Sequence, residues 1–265
     1  MTNPSDNKYI LEFENVTKKF GGLIAVNNFN GYLKNGELLG LIGPNGAGKT
    51  TLFNLITGIY TPDIGKILFE KQKINSKKPH EVTQLGIART FQNIRLFKDM
   101  TVLENVLVSQ HLKLKNWLWL FKSVLKTPDV LKVEKEMQNE AWNLLEEVGL
   151  SVYANDKANS LPYGLQRKLE IARALATGAK LLLLDEPAAG MNPNETSELM
   201  EFIKHIRQEF ELSILIIEHD MKVIMGICER IYVLDYGKKI AEGSPEEIQK
   251  DPLVIKAYLG EELTI

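Results

Sequence analysis

The stretch that decides the fold is Gly43-Pro44-Asn45-Gly46-Ala47-Gly48-Lys49-Thr50-Thr51, set between the apolar run Leu38–Ile42 and helix-compatible residues 50–58. Glycines at 43, 46 and 48 permit positive φ and close backbone approach. Successive N–H groups can then wrap phosphate oxygens while the next helix aims its positive end at them. Lys49 adds a point charge for the β/γ-phosphates, and Thr50 a hydroxyl for Mg²⁺. A helix dipole alone stabilises an anion by only about 1 kcal/mol, so the lysine and the metal carry much of the expected affinity. An ordinary glycine-rich strand-to-helix turn would not fill all these positions together. The stretch implies a nucleoside triphosphate site.

Working outward, residues 38–42, 181–184 and 214–217 are nearly continuous apolar runs, the pattern of strands buried on both faces of a parallel sheet. Ligands of open α/β sheets lie beyond the carboxyl ends of the strands. The phosphate loop, Asp185-Glu186 and Glu218-His219 should therefore converge on one crevice. Residues 10–16 and 23–33 alternate as antiparallel strands around a Gly21-Gly22 turn, predicting a β-subdomain. From about 98 to 149 the periodicity turns helical, with Val102, Val106 and Ser109 in step and apolar residues recurring through 133–148. Gly237 predicts a hairpin between residues 230–234 and 239–241, and Ser244-Pro245-Glu246-Glu247 a capping box for a last helix.

Composition narrows the class. With 265 residues, 44% of them hydrophobic, the chain can bury a large core as one domain with an insertion or as two small ones. No signal peptide opens it and no stretch approaches the roughly 20 apolar residues of a membrane span, which points to the cytoplasm and a peripheral membrane role at most. The single cysteine, Cys228, lies in an apolar stretch and is expected in the core. A net charge of −2 lacks the electrostatic footprint of a nucleic-acid binder, although a local basic patch stays open.

Four apolar residues followed by Asp185-Glu186-Pro187 resemble a Walker B strand, with Asp185 to hold Mg²⁺ and Glu186 to polarise water. Such a carboxylate pair could also be a simple helix start; its partnership with a phosphate loop argues for the site. Just upstream, Leu161-Pro162-Tyr163-Gly164-Leu165-Gln166-Arg167 introduces a helix over residues 165–177, with an apolar stripe at 165, 169, 172 and 175 and Gly178 at its end. This segment resembles the signature motif of the ATP-binding-cassette ATPases, which normally reads Leu-Ser-Gly-Gly-Gln. The family's serine is Pro162 here, its first glycine Tyr163 and its glutamine Leu165. Proline supplies neither hydroxyl nor N–H, so a contact with a γ-phosphate must come from Gly164, the helix N-terminus or Tyr163.

The remaining family elements follow in order over nearly the whole chain. Phe20 is placed like the aromatic that stacks on adenine, Gln92 like the Q-loop glutamine, residues 188–192 like the D-loop and His219 like the switch histidine. The usual D-loop aspartate is Asn192, yet Asn192-Pro193-Asn194-Glu195 remains a good helix start. His80, His111 and His205 have no such setting and are expected at the surface.

The resemblance implies an α/β P-loop NTPase (RecA-like) core with an antiparallel β-subdomain and an inserted α-helical subdomain. Residues 1–92 and 168–265 would form the core, and 93–167 the helical part including the signature. It implies ATP as ligand, held by Phe20, Asn45, Gly46, Ala47, Gly48, Lys49, Thr50 and Thr51, and Mg²⁺ held by Thr50, Gln92 and Asp185. Catalysis would fall to Glu186, His219, Lys49 and Gln92, with Pro162, Tyr163 and Gly164 acting in trans on a second cassette's nucleotide. A closer similarity, to ATP-binding subunits of branched-chain amino-acid importers, rests on residues 86–97 and 100–108, Glu186 to Pro193, Glu218-His219-Asp220-Met221, Ala257-Tyr258-Leu259-Gly260-Glu261 and the Tyr163-Gly164 signature. It implies a second ATPase subunit, identical or paralogous, separate integral membrane permeases, indirectly a solute-binding protein, and a place at the cytoplasmic face of the plasma membrane. A lipid or lipopolysaccharide exporter would use identical nucleotide chemistry. A non-transport ATPase acting on nucleic acid is the rival from another class. Trp117, Trp119 and Phe121 among lysines read either as packing within the helical part or as a membrane-surface or partner-docking face.

Overall fold

The computed structural model describes residues 8–110 and 128–262; the expectations placed on His111, Trp117, Trp119 and Phe121 lie outside them. The described residues form two compact units, one from Met1–Gln92 and Lys180–Ile265, the other from Asn93–Ala179.

The first unit holds two sheets. Strands β1 (Tyr9–Phe20), β2 (Leu23–Lys34), β4 (Ile64–Phe69) and β5 (Gln72–Lys73) make an antiparallel sheet in the order β2-β1-β4-β5. The expected first hairpin turns at Gly21-Gly22, where Phe20 pairs with Leu23. Strands β3 (Leu38–Ile42), β6 (Ile87–Arg89), β7 (Leu181–Asp185), β8 (Ser213–Ile217), β9 (Arg230–Asp235) and β10 (Lys238–Gly243) form the second sheet in the order β10-β9-β3-β8-β7-β6. All its pairings are parallel except the β9–β10 hairpin. Every residue of β3, β7 and β8 is buried, as their unbroken apolar runs require.

Helix α1 (Lys49–Ile56) buries Leu52, Phe53, Leu55 and Ile56 in the core. There they join Phe13, Phe29 and Phe69 of the antiparallel sheet and Leu39, Leu41, Leu183 and Leu215 of the parallel one. Cys228 is buried below Gly40, where a Cβ would lie 3.1 Å from its Sγ, and burial raises the thiol's pKa, so it is inert packing as expected. The Ser244 capping box forms, but its helix is only Pro245–Lys250 and is not the last; Asp251 accepts the N–H of Leu253 at 2.7 Å and a further helix, Pro252–Glu262, follows.

The second unit is helical: α3 (Val102–Gln110), α4 (Pro128–Glu147) and α5 (Tyr163–Ala176), with α2 (Pro79–Leu85) lying in the first unit. Its core gathers Val102, Val106, Ala141, Leu145, Leu161, Leu169 and Ala172. Fully buried Asn105 pins the loop before α3, accepting from the N–H of Phe97 at 3.0 Å and donating to the carbonyls of Phe97 at 3.0 Å and Thr101 at 2.9 Å. The sequence reading ended this unit at residue 167; it runs to Ala179 because α5 is one continuous rod that packs on α3, and a helix is not divided between cores.

Candidate active site

The phosphate loop leaves the buried end of β3 and enters α1 through Gly48, whose backbone is left-handed at φ 104°. A Cβ there would lie 2.3 Å from the Ala25 carbonyl oxygen, so β2 backs the loop too closely for any side chain. The β9–β10 turn closes the loop from the other flank. The N–H of Gly237 donates to the Ala47 carbonyl at 3.0 Å, and its own carbonyl accepts from Asn27 N–H at 2.8 Å. The Lys49 ammonium is folded over the loop, donating to the carbonyls of Gly43 (2.6 Å) and Pro44 (2.9 Å). A cavity of about 370 Å³ is lined by residues 45–51 together with Phe20 and Glu186. Phe20 stands at its rim, 41% exposed, edge-on to Tyr60 at 5.1 Å. The cradle fits a polyphosphate: a glycine-rich loop ahead of a helix N-terminus, one cation folded over it, and no room for a side chain at Gly43 or Gly48.

Beyond the carboxyl ends of the parallel strands the structure gathers the expected polar groups of the first unit. Gln92 Nε2 donates to Glu186 Oε2 at 2.7 Å, and His219 Nδ1 lies 3.7 Å from the same oxygen. Glu186 adopts φ 47°, a conformation that costs a non-glycine residue about 1–3 kcal/mol and that clusters at functional sites. Behind it, buried Glu218 accepts from the N–H groups of Ala188 (2.8 Å) and His219 (3.3 Å), and burial raises its pKa. The Asp185 carboxylate is ion-paired to Arg89, Nη2 to Oδ2 at 2.6 Å. Among the described residues no three His, Cys, Asp or Glu side chains are grouped to hold a metal alone. Thr50 and Glu186 line the cavity and Gln92 is bonded to Glu186; oxygen donors of this kind suit a small hard cation that keeps most of its shell as water and substrate oxygens.

Within the second unit, the signature segment forms the start of α5, with Pro162 at its N-cap and no side-chain cap. Tyr163 is 41% exposed, and its hydroxyl accepts from Arg167 Nη2 at 3.2 Å. Arg167 is fully buried and bonds Glu170 Oε2 at 2.7 Å, while Glu170 Oε1 accepts from the N–H of Arg95 at 3.2 Å. A buried ion pair thus anchors the first turn, with Arg167 holding the Tyr163 hydroxyl on one side and Glu170 on the other. The Leu165 position of the expected apolar stripe is only half-buried, whereas Leu169, Ala172 and Leu175 are buried. In the first unit, Asn192 caps the next helix, Pro193–Glu209, with a complete capping box, so the aspartate-to-asparagine change keeps the local geometry. His80 and His205 are exposed.

Sequence reasoning missed Arg89, its second partner Asn54, and the Arg167–Glu170 pair. Ninety-six positions separate Arg89 from Asp185, and their only signal was a cation at the end of a short apolar strand. Glu218 was placed in the crevice but given no task.

Comparison with known proteins agrees with this architecture. Residues 26–189 match the family described as ABC transporter, and residues 238–264 the one described as branched-chain amino acid ATP-binding cassette transporter. The chain is 49% identical over 252 residues to the high-affinity branched-chain amino acid transport ATP-binding protein LivG of Escherichia coli (strain K12), covering 95% of this chain and 98% of that protein. The crystal structure of the ADP conformation of MJ1267, an ATP-binding cassette of an ABC transporter, superposes with a TM-score of 0.83 at 35% identity, covering 95% of this chain and 99% of that one. A dimeric structure of MJ0796, a bacterial ABC transporter cassette, superposes with a TM-score of 0.71 at 28% identity, covering 89% and 98%. A glycine cradle flanked by convergent carboxylate, amide and imidazole, on a fold shared over almost its full length with such cassettes, means that the chain is an ATP-binding member of the ABC transporter family.

Proposed function

We propose that this chain is the ATP-hydrolysing subunit of an importer of branched-chain amino acids, driving separate permease subunits from the cytoplasmic face of the membrane. The observation that carries the reading is the match of the C-terminal residues 238–264 to the branched-chain amino acid type, added to near full-length similarity to LivG. No helix among the described residues is long and apolar enough to cross a membrane, so translocation would belong to other subunits, fed by a solute-binding protein.

In this reading Phe20 stacks on adenine and residues 45–51 hold the phosphates, with Lys49 leaving its loop carbonyls for the β/γ-oxygens. Thr50, Gln92 and Asp185 would hold Mg²⁺, which supplies charge neutralisation on the transferred phosphoryl group. Glu186, already bonded to Gln92 and next to His219, orients and polarises the attacking water, and His219 and Lys49 steady charge on the γ-phosphate. Gly164, Tyr163 and the helix end begun by Pro162 would reach a second cassette's ATP, so nucleotide binding closes the dimer and hydrolysis reopens it.

The test uses Glu186→Gln in the full chain, with light scattering in ATP and Mg²⁺. A dimer that is absent in Lys49→Ala supports the sandwich; a monomer throughout refutes closure of this chain on itself. Leucine uptake that persists in cells whose only copy is Lys49→Ala would refute the substrate.

A further inference from the structure

Arg89 stands outside the expected site, yet its surroundings are built around it. It is the last residue of β6 and pairs with Leu183 of β7; Asp185, two residues on, returns to the same face. The side chains of Arg89 and Asp185 are only 8% and 9% exposed. The guanidinium divides its donors between Asp185 Oδ2, from Nη2 at 2.6 Å, and Asn54 Oδ1 on α1, from Nη1 at 2.6 Å. Its central carbon lies 5.4 Å from the ring centroids of both Phe53 and Phe91. Two aromatic faces and two acceptors fix the plane of the guanidinium, so it cannot follow the carboxylate; the carboxylate is oriented by it.

We propose that Arg89 is a positioning residue for the metal-binding carboxylate: it holds Asp185 by Oδ2 so that the other oxygen is set for the cation, and ties this setting to α1 and to the strand that leads into Gln92. The inference rests on the reading of Asp185 as a Mg²⁺ ligand. A lysine would keep the charge but could not serve Asn54 and Asp185 in one plane, which is why the fork rather than the charge is the feature to test.

The experiment measures ATP binding to the full chain with and without Mg²⁺ by calorimetry, which gives the factor by which the metal strengthens nucleotide binding without relying on turnover. Arg89→Lys is expected to cut that factor by about tenfold, as loss of an outer-shell partner does, and to leave metal-free ATP affinity within about twofold. In an Asp185→Asn background the same substitution should change the factor by less than about twofold, because Arg89 acts through Asp185; a merely structural role would show equally in both backgrounds. An unchanged factor in Arg89→Lys, or equal losses in both backgrounds, overturns the proposal. If Arg89→Lys does not fold, Asn54→Ala removes the second anchor alone and should lower the factor by about threefold, half the logarithmic effect of losing the fork; no change there also overturns it. Asp185→Asn that keeps the full Mg²⁺ effect would instead sink the metal reading itself.

Discussion

Replacing Gly48 by alanine should damage the protein in a way that replacing Gly46 does not, although both are left-handed glycines of one loop. At Gly46 (φ 77°) a Cβ would meet nothing within 4 Å, so alanine incurs only the left-handed backbone cost of about 1–2 kcal/mol. At Gly48 (φ 104°) the same atom would sit 2.3 Å from the Ala25 carbonyl oxygen, which is rigid backbone of β2. That adds an overpacking cost of about 1–3 kcal/mol. For a protein of this size the difference corresponds to Gly48→Ala melting roughly 2–12 °C below Gly46→Ala. Differential scanning fluorimetry without nucleotide isolates this folding term from any loss of ATP binding. Equal melting temperatures would refute the reasoning, since they would mean that β2 yields freely and does not back the phosphate loop.

Asn105→Ala should cost about 1–3 kcal/mol in urea unfolding, because it leaves the buried N–H of Phe97 without its acceptor, while the carbonyls of Phe97 and Thr101 lose one donor each but keep the N–H groups of Met100 (3.1 Å) and of residue 105 itself (3.0 Å). Asn105→Asp, which keeps the acceptor but turns a buried carboxylate toward those two carbonyls, should do no better. Glu218 has a folded-state pKa raised above its ordinary 4.5 by burial, so between those two values the native state binds more protons than the unfolded one. Unfolding free energy should therefore fall as pH rises from about 4.5 through that window, and Glu218→Gln should remove this component of the slope; identical slopes for both proteins would contradict it.

The fold was legible where sequence pattern is dictated by local burial. The runs that became β3, β7 and β8 contain no polar residue before their carboxyl ends because both faces are covered, and the phosphate loop is legible because each of its positions meets a separate steric or charge demand. The end of the helical unit was misjudged since a motif boundary was taken for a packing boundary, whereas α5 follows its own rod to Ala176. Arg89 was hidden for another reason. Its role comes from Asn54, Asp185 and the Phe53 ring, brought to it by tertiary folding; Phe91, two residues on, is its one partner nearby in the sequence, and an aromatic there does not by itself announce a guanidinium contact. The strained φ of Glu186 was equally invisible, as glutamate is not a residue chosen for the left-handed region.

The position of β3 in its sheet has a consequence for how the protein is made. This strand leads into the phosphate loop, but its neighbours are β8 and β9, and the turn that closes on Ala47 comes from Gly237. On a ribosome, roughly 200 residues must therefore follow β3 before its pocket can be finished, a delay of about 10–40 s at ordinary elongation rates. During that interval Leu38–Ile42, apolar throughout, waits without its parallel partners. A chain released early would carry the whole nucleotide motif and no nucleotide pocket. The strands that come last in this stretch of chain, β8 and β9, thus decide whether the phosphate loop made long before them can hold ATP.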